Sequence, residues 1–208
     1  MPQNPLPEKL AAQAQFIVNN LLQTDYQHED NINLAEGVLD CDCSEFVGFV
    51  LDGLAPDQYG LIPHESGQPR PRAFEYHRFF AALAAASSAG WSMINSLKDA
   101  RRGDIIAWEF PDLQPAEDTG HVFFVSATPG VDDSGIFWVR VCDSAAQAHF
   151  DDTRGDGPEQ FPNGVGSGFI KFQVDASGAP IAFLFAPSDN PDPQFTSLLI
   201  ALGRAEPL

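Results

Sequence analysis

Positive charge is scarce in this chain of 208 residues: 11 Lys and Arg stand against 29 Asp and Glu, giving a formal net charge of −18. Nucleic acids and anionic membranes are bound through Lys and Arg that neutralise phosphates, so nucleic acid is not an expected partner. No apolar run approaches the roughly 20 residues a membrane helix needs. The opening residues, Met1-Pro2-Gln3-Asn4-Pro5-Leu6-Pro7, lack the basic region and apolar stretch of a secretory signal. A cytoplasmic location is therefore expected, with export by another route left open. Cysteine is equally sparse. Cys41, Cys43 and Cys142 make an odd number, which excludes a complete disulfide framework and leaves free thiols as the expectation. Internal repeats and a dividing linker are absent. So are a C-x-x-C pair, an H-E-x-x-H helix and a phosphate-cradling glycine motif after a strand. No cofactor is called for. Zinc on Cys41, Cys43, His121, Cys142 and His149 is the weaker reading of those side chains.

Hydrophobic residues are 44% of the chain, enough for one domain over residues 1–208 with a sizeable core. Residues 8–22 read as an amphipathic helix with Leu10, Ala14, Ile17, Val18 and Leu21 near one face. Residues 24–37 are polar and read as loop. Asp42 or Ser44 can cap a second helix that ends near Asp52-Gly53. A proline-rich connection follows over 56–71, then an alanine-rich helix over 73–89. Beyond it come β-rich runs at 104–109, 121–126, 136–142, 168–174 and 180–185, separated by Gly, Pro and Asp. The glycine-rich stretch 164–168 reads as a flexible loop or bulge, the acidic stretch 151–156 as a solvated turn, and 195–202 as a last helix. Helices first and strands afterwards predict an α+β domain with an antiparallel sheet.

The chemistry gathers at two places. Cys43 lies at the start of the second helix between Asp42 and Ser44. Backbone N–H groups there lack helical partners, and the helix dipole favours a thiolate, so a lowered thiol pKa is expected. The alternative is a small buried residue, the usual fate of a free cysteine and the preferred one for Cys41. His121 opens the strand Gly120-His121-Val122-Phe123-Phe124-Val125. Alternation puts His121, Phe123 and Val125 on one face, where the Cys43 helix is expected to pack. A third group should hold the imidazole tautomer. Asp143 is the choice, because it closes the strand that pairs in a hairpin with that of His121. His149 is a weaker rival, and Asp151 and Asp152 weaker still. Trp108, Phe123 and Trp138 are candidate cleft walls, with an ordinary core role as the alternative.

These segments resemble the NlpC-type cysteine peptidases, papain-like cell-wall hydrolases of bacteria and phage. The likeness is carried by Asp42-Cys43-Ser44-x-Phe46-Val47, by Gly103-Asp104-Ile105-Ile106 and by Gly120-His121-Val122, about half of the chain. Glu45 stands where that family usually has a small residue. The resemblance implies a papain-like fold, a Cys-bearing helix packed on an antiparallel sheet that bears the His. It implies Cys43 as nucleophile, His121 as base and a polar third residue at Asp143, with Asp42, Ser44 and Trp108 as candidates for substrate contact. The implied reaction is hydrolysis of amide bonds in peptidoglycan stem peptides. Two other classes fit the same residues: a thiol-dependent acyltransferase or deamidase, and an acidic binding module whose Cys and His are structural.

Overall fold

The computed structural model describes residues 5–83, 90–111, 118–154, 162–185 and 194–208. Four helices come first: α1 (Leu6–Asn20), α2 (Cys43–Leu54), α3 (Pro56–Tyr59) and α4 (Ala73–Ala82). Helix α1 buries Leu10, Ala14 and Ile17, spaced one turn apart, which is what makes an amphipathic segment dock. Helix α2 is more apolar and buries Phe46, Val47, Val50 and Leu51. The helix predicted over 73–89 is present as α4, and residues 84–89 lie outside the described ones. The proline-rich connection is irregular apart from the single turn of α3 at its start.

The strands are β1 (Asn31–Asn33), β2 (Val38–Asp40), β3 (Trp91–Met93), β4 (Ile105–Glu109), β5 (Gly120–Val125), β6 (Gly130–Val131), β7 (Phe137–Ala145), β8 (Gly164–Val174), β9 (Pro180–Leu184), β10 (Thr196–Ser197) and β11 (Ile200–Ala205). Strands β1 and β2 form a small ribbon in part of the segment read as loop. The rest form one antiparallel sheet in the order β10-β9-β8-β7-β5-β4-β11-β3, with β6 against β7. The expected α+β class and antiparallel sheet are therefore present.

Residues 195–202 are not the expected helix. Thr196 and Ser197 pair with β9 at one end of the sheet, and Ile200 to Gly203 pair with β4 near the other end. Two residues separate these pairings, so the sheet must curl until its ends approach. A short apolar run fits either helix or strand, and here sheet closure decides it. Residues 164–168 are likewise not a loop: they are the first half of β8, paired with β7 from Ala145↔Gly164 to Val141↔Gly168.

The curled sheet has two apolar faces. Its outer face presents Ile105, Ala107, Val122, Phe124 and Cys142 to Leu10, Phe46 and Val50 of the helices. Its inner face gathers Ile106, Trp108, Phe123, Val125, Val141 and Phe172. The Phe46 and Phe124 rings meet edge to face, with centroids 6.3 Å apart, which fixes α2 against β5. This corrects one expectation. Helix α2 covers the Val122 and Phe124 face of β5, not the face of His121, Phe123 and Val125. Alternation tells which residues share a face but not which face a helix will cover. Among the described residues no helix is long and apolar enough to cross a membrane.

Candidate active site

Cys43 is the first residue of α2, and Asp42 is its N-cap. One carboxylate oxygen of Asp42 accepts from the Glu45 N–H at 2.9 Å and the Ser44 hydroxyl at 2.8 Å. The other accepts from Arg70 Nη2 at 2.8 Å and faces His28 Nδ1 at 3.2 Å. Arg70 also donates to Ser44 Oγ and pairs with Glu45. Burial alone would raise the Asp42 carboxyl, but the His28 hydrogen bond and the Arg70 charge outweigh it and hold the group ionised. Asp42 and Ser44, candidates for substrate contact, thus have polar atoms already engaged in seating the helix. Both still line a small cavity of about 40 Å³ beside Cys43, together with Tyr26, His28 and Asp118. Replacing Asp42 by Ala is expected to cost about 1–2 kcal/mol of stability through loss of the cap. Urea denaturation checks this.

The thiol reaches the sheet at a place where two strands part. Strands β5 and β7 pair only at Phe124↔Cys142 and Val125↔Val141. Toward the start of β5 they separate, while β7 stays bound to β8. On the other side β5 keeps its pairing with β4 as far as Glu109↔Gly120. Val125 exchanges its backbone bonds with Gly103 and Asp104 on the β4 side, so residues of opposite parity point theirs toward the gap. Val122 N–H is one of these, and it favours the Cys43 thiolate. Gly120 lets β5 close on β4: its φ is +144°, and a Cβ there would lie 2.0 Å from the Trp108 carbonyl oxygen.

His121 lies on the inner face of the same strand. Its Nε2 is 2.6 Å from Asp143 Oδ2, so the expected pairing of these two residues is present. A carboxylate only accepts, so Nε2 carries the ring proton and Nδ1 keeps the lone pair. Among the described residues no hydrogen bond joins the sulfur to the ring. The two groups belong to opposite faces of β5: the sulfur lines a small cavity with Thr119 and Gly120, and the ring lines the neighbouring one with Trp108.

Asp143 is fully buried and has three partners. Besides His121, Oδ2 meets His149 Nε2 at 2.7 Å, and Oδ1 accepts from Arg154 Nη2 at 3.0 Å. The other nitrogen of His149 faces the Phe185 carbonyl at 3.1 Å. Both nitrogens of that ring therefore face acceptors. His149 thus meets the same carboxylate oxygen as His121, and it is Asp143 that the His121 ring contacts. Burial would raise the Asp143 carboxyl, but the charges of His149 and Arg154 and the two ring hydrogen bonds hold it well below the usual carboxylate range. Arg154 is anchored in turn by Asp152 and by the Gly164 carbonyl.

The segment 151–154 is only in part the expected solvated turn, and residues 155–156 lie outside the described ones. Asp151 is exposed, but Arg154 is buried beneath the site. Sequence reasoning missed Arg154 because its loop is acidic and polar throughout. A usable signal lay in Gly166 and Gly168, two residues apart on one strand. A Cβ on Gly166 would meet Arg154, and one on Gly168 would meet His149 and Asp152. Glycine in a strand interior marks such a close approach. Tyr26 and His28 were also missed. Both sit in the stretch read as loop, where nothing in the sequence marks them as facing Cys43 and Asp118.

The expected thiolate is not the resting state. Burial, then the Asp42 carboxylate, push the Cys43 thiol well above its ordinary value, and the Val122 N–H only partly opposes them. Burial lowers the His121 ring, against the pull of Asp143. The resting pair is a neutral thiol and a neutral imidazole. Labelling of Cys43 by iodoacetamide is accordingly expected to climb with pH from 7 to 10. A plateau already reached at pH 6 would reveal a preformed ion pair instead. Peptide mapping is needed, because Cys142 is pushed up only to about 11.

His121, Asp143 and His149 also bring two ring nitrogens and a carboxylate oxygen within 4.8 Å of one another, as a metal site would. Their spacings of 2.6 and 2.7 Å are those of hydrogen bonds. A cation there would have to displace those protons while facing the Arg154 guanidinium on the same carboxylate. The donor set fits a proton network better than a metal. Trp108 stacks on Phe183 with centroids 4.1 Å apart and walls a cavity beside His121. Trp138 does not: its indole N–H is bound by Asp132, and its ring faces Lys171.

No protein-family model matches this chain. No solved structure matches it either. An uncharacterized protein of Acanthamoeba polyphaga mimivirus is 28% identical over 184 residues, which cover 77% of this chain and 78% of that relative.

Proposed function

We propose that the chain is a thiol-dependent amide hydrolase, a cysteine peptidase or amidase of the papain-like, NlpC-type kind. In this reading Cys43 is the nucleophile, His121 the acid and base, and Asp143 the group that fixes the ring. Peptidoglycan stem peptides are the substrate class implied by the resemblance. One observation carries the reading. Asp143 binds Nε2 of His121 at 2.6 Å and frees Nδ1 as a base, on the strand whose first residue, Gly120, lines the Cys43 cavity. Contacts between nucleophile and base are often long before substrate binds, and they tighten in the complex.

The reaction starts from the neutral pair. Nδ1 of His121 takes the thiol proton as sulfur attacks the amide carbonyl carbon. A separate thiolate, costly in this buried position, is thereby avoided. The oxyanion forms over the first turn of α2. There Asp42 occupies the N–H groups of Glu45 and Phe46. The N–H groups of Cys43 and Ser44 have no helical acceptor and can hold the developing charge. The imidazolium then protonates the leaving amine, and the amide C–N bond breaks to leave a thioester on Cys43. His121 activates a water that releases the acid and restores the thiol.

Intact-mass spectrometry on protein incubated with peptide amides and peptidoglycan fragments tests the proposal. An added acyl mass should appear on Cys43, be removed by hydroxylamine and be absent from Cys43→Ala protein. Turnover that persists in the Cys43→Ala variant would falsify the assignment.

A further inference from the structure

Beside His121 is a cavity of about 320 Å³ lined by Trp108, Phe110, Phe183, Phe185 and Gln147. Tyr26, Asp118 and Gly120 border both this cavity and the smaller one at Cys43. The two are therefore adjacent chambers that share a wall. The larger chamber is walled by aromatic rings, with Phe185 set edge-on to His121 at 5.1 Å. Its volume is at the lower end of ligand pockets, which span about 300–1,000 Å³. It holds one substituent, not a whole peptide.

We propose that this chamber is a subsite for an apolar group, an aromatic or short alkyl substituent on the amine side of the scissile amide. The inference rests on the hydrolase reading above and names its substrate class. Three arguments support it. The wall offers burial to apolar surface, at about 25 cal/mol per Å² removed from water. Among its described lining residues none is Lys or Arg, while Asp118 contributes a carboxylate at the rim. A carboxylate-rich group would meet like charge there, and Arg72, which lines the smaller cavity, is not among the residues of this one. The side of the amide follows from His121: the ring that protonates the leaving nitrogen lines this chamber, so the group on that nitrogen enters it. In a stem peptide the group that enters this chamber is an uncharged one, and amides of apolar amines fit it well.

Methanethiosulfonates test the chamber through Cys43, forming a mixed disulfide and releasing methanesulfinate. Rates for the benzyl, 2-hydroxyethyl and 2-aminoethyl reagents are measured by peptide mapping and divided by those for free cysteine. The benzyl reagent is expected to lead by at least tenfold, and Phe110→Ser should reduce the lead to threefold or less. Equal or faster reaction of either polar reagent overturns the proposal. A second measurement does not depend on the thiol: N-benzylacetamide is titrated calorimetrically into Cys43→Ala protein. Binding that weakens at least fivefold with Phe110→Ser supports the subsite, and no binding up to the solubility limit overturns it. If N-benzylacetamide binds but Cys43 never carries an acyl group, the hydrolase reading fails and the apolar chamber stands.

Discussion

Replacing Asp143 by Ala is expected to destabilise the fold by about 3–5 kcal/mol, the cost of stripping a buried charge of its partner. The carboxylate is fully buried and accepts from His121, His149 and Arg154. Its removal leaves two ring N–H groups and one guanidinium arm facing a void. At roughly 2–4 °C per kcal/mol for a domain of this size, the melting temperature should fall by about 6–20 °C. Asn is no rescue. Whichever way its amide is turned, an NH2 group confronts either the two imidazoles or Arg154.

The pH dependence gives this prediction a second readout. Asp143 is held below its ordinary value in the folded protein, so its contribution is present above about pH 4 and is lost as pH falls toward the folded value. His121 acts in a different window. Its folded value is depressed, so below about pH 6.5 the unfolded ring binds protons that the folded ring refuses, and stability falls as acid is added. Both effects make the wild type acid-sensitive. The Asp143→Ala variant should lose the part of that slope below about pH 4. Chemical denaturation at pH 7, 5, 4, 3.5 and 3 measures it, and an unchanged slope below pH 4 would show that Asp143 is not the group titrating.

Local features of this site were legible before the fold was known. Cys43 between Asp42 and Ser44 marked a helix start, and Asp42 is the cap. The turn-rich stretch before β7 marked Asp143 as a neighbour of His121, and the two are hydrogen-bonded. What escaped the sequence depends on distant parts of the chain. The face of β5 that α2 covers is decided by Phe46 against Phe124 and by the curl of the sheet. The strand character of residues 200–205 exists only because β3 and β4 flank them. The state of the thiol was misread for a related reason. Helix-start chemistry argues for a thiolate, but the burial that opposes it comes from α1, β5 and β7, which the local pattern does not contain. Arg154 is the sharpest case, a cation in an acidic loop whose partner is eleven residues back on another strand.

Activity should respond to Cys43 and His121 as one unit. In the proposed mechanism Cys43→Ala removes the sulfur that forms the thioester, and His121→Ala removes the group that takes its proton. Each is expected to lower kcat by about 10⁴-fold or more, as when one member of a nucleophile–base pair is lost. The double variant should be no slower than the worse single one, within about threefold, because either change already disables the same step. Independent residues would multiply instead. Stability separates this from simple unfolding. Cys43 contributes little volume beyond Ala, so Cys43→Ala should melt within a few degrees of the wild type. Asp143→Ala should not. The residue behind the carboxylate gives a graded control: His149→Gln keeps a donor near Asp143 Oδ2 but removes the ring that ties it to the Phe185 carbonyl. Its kcat should fall far less than that of His121→Ala, since His149 acts only through Asp143. Equal losses would move the catalytic role from His121 to His149 and end the present assignment.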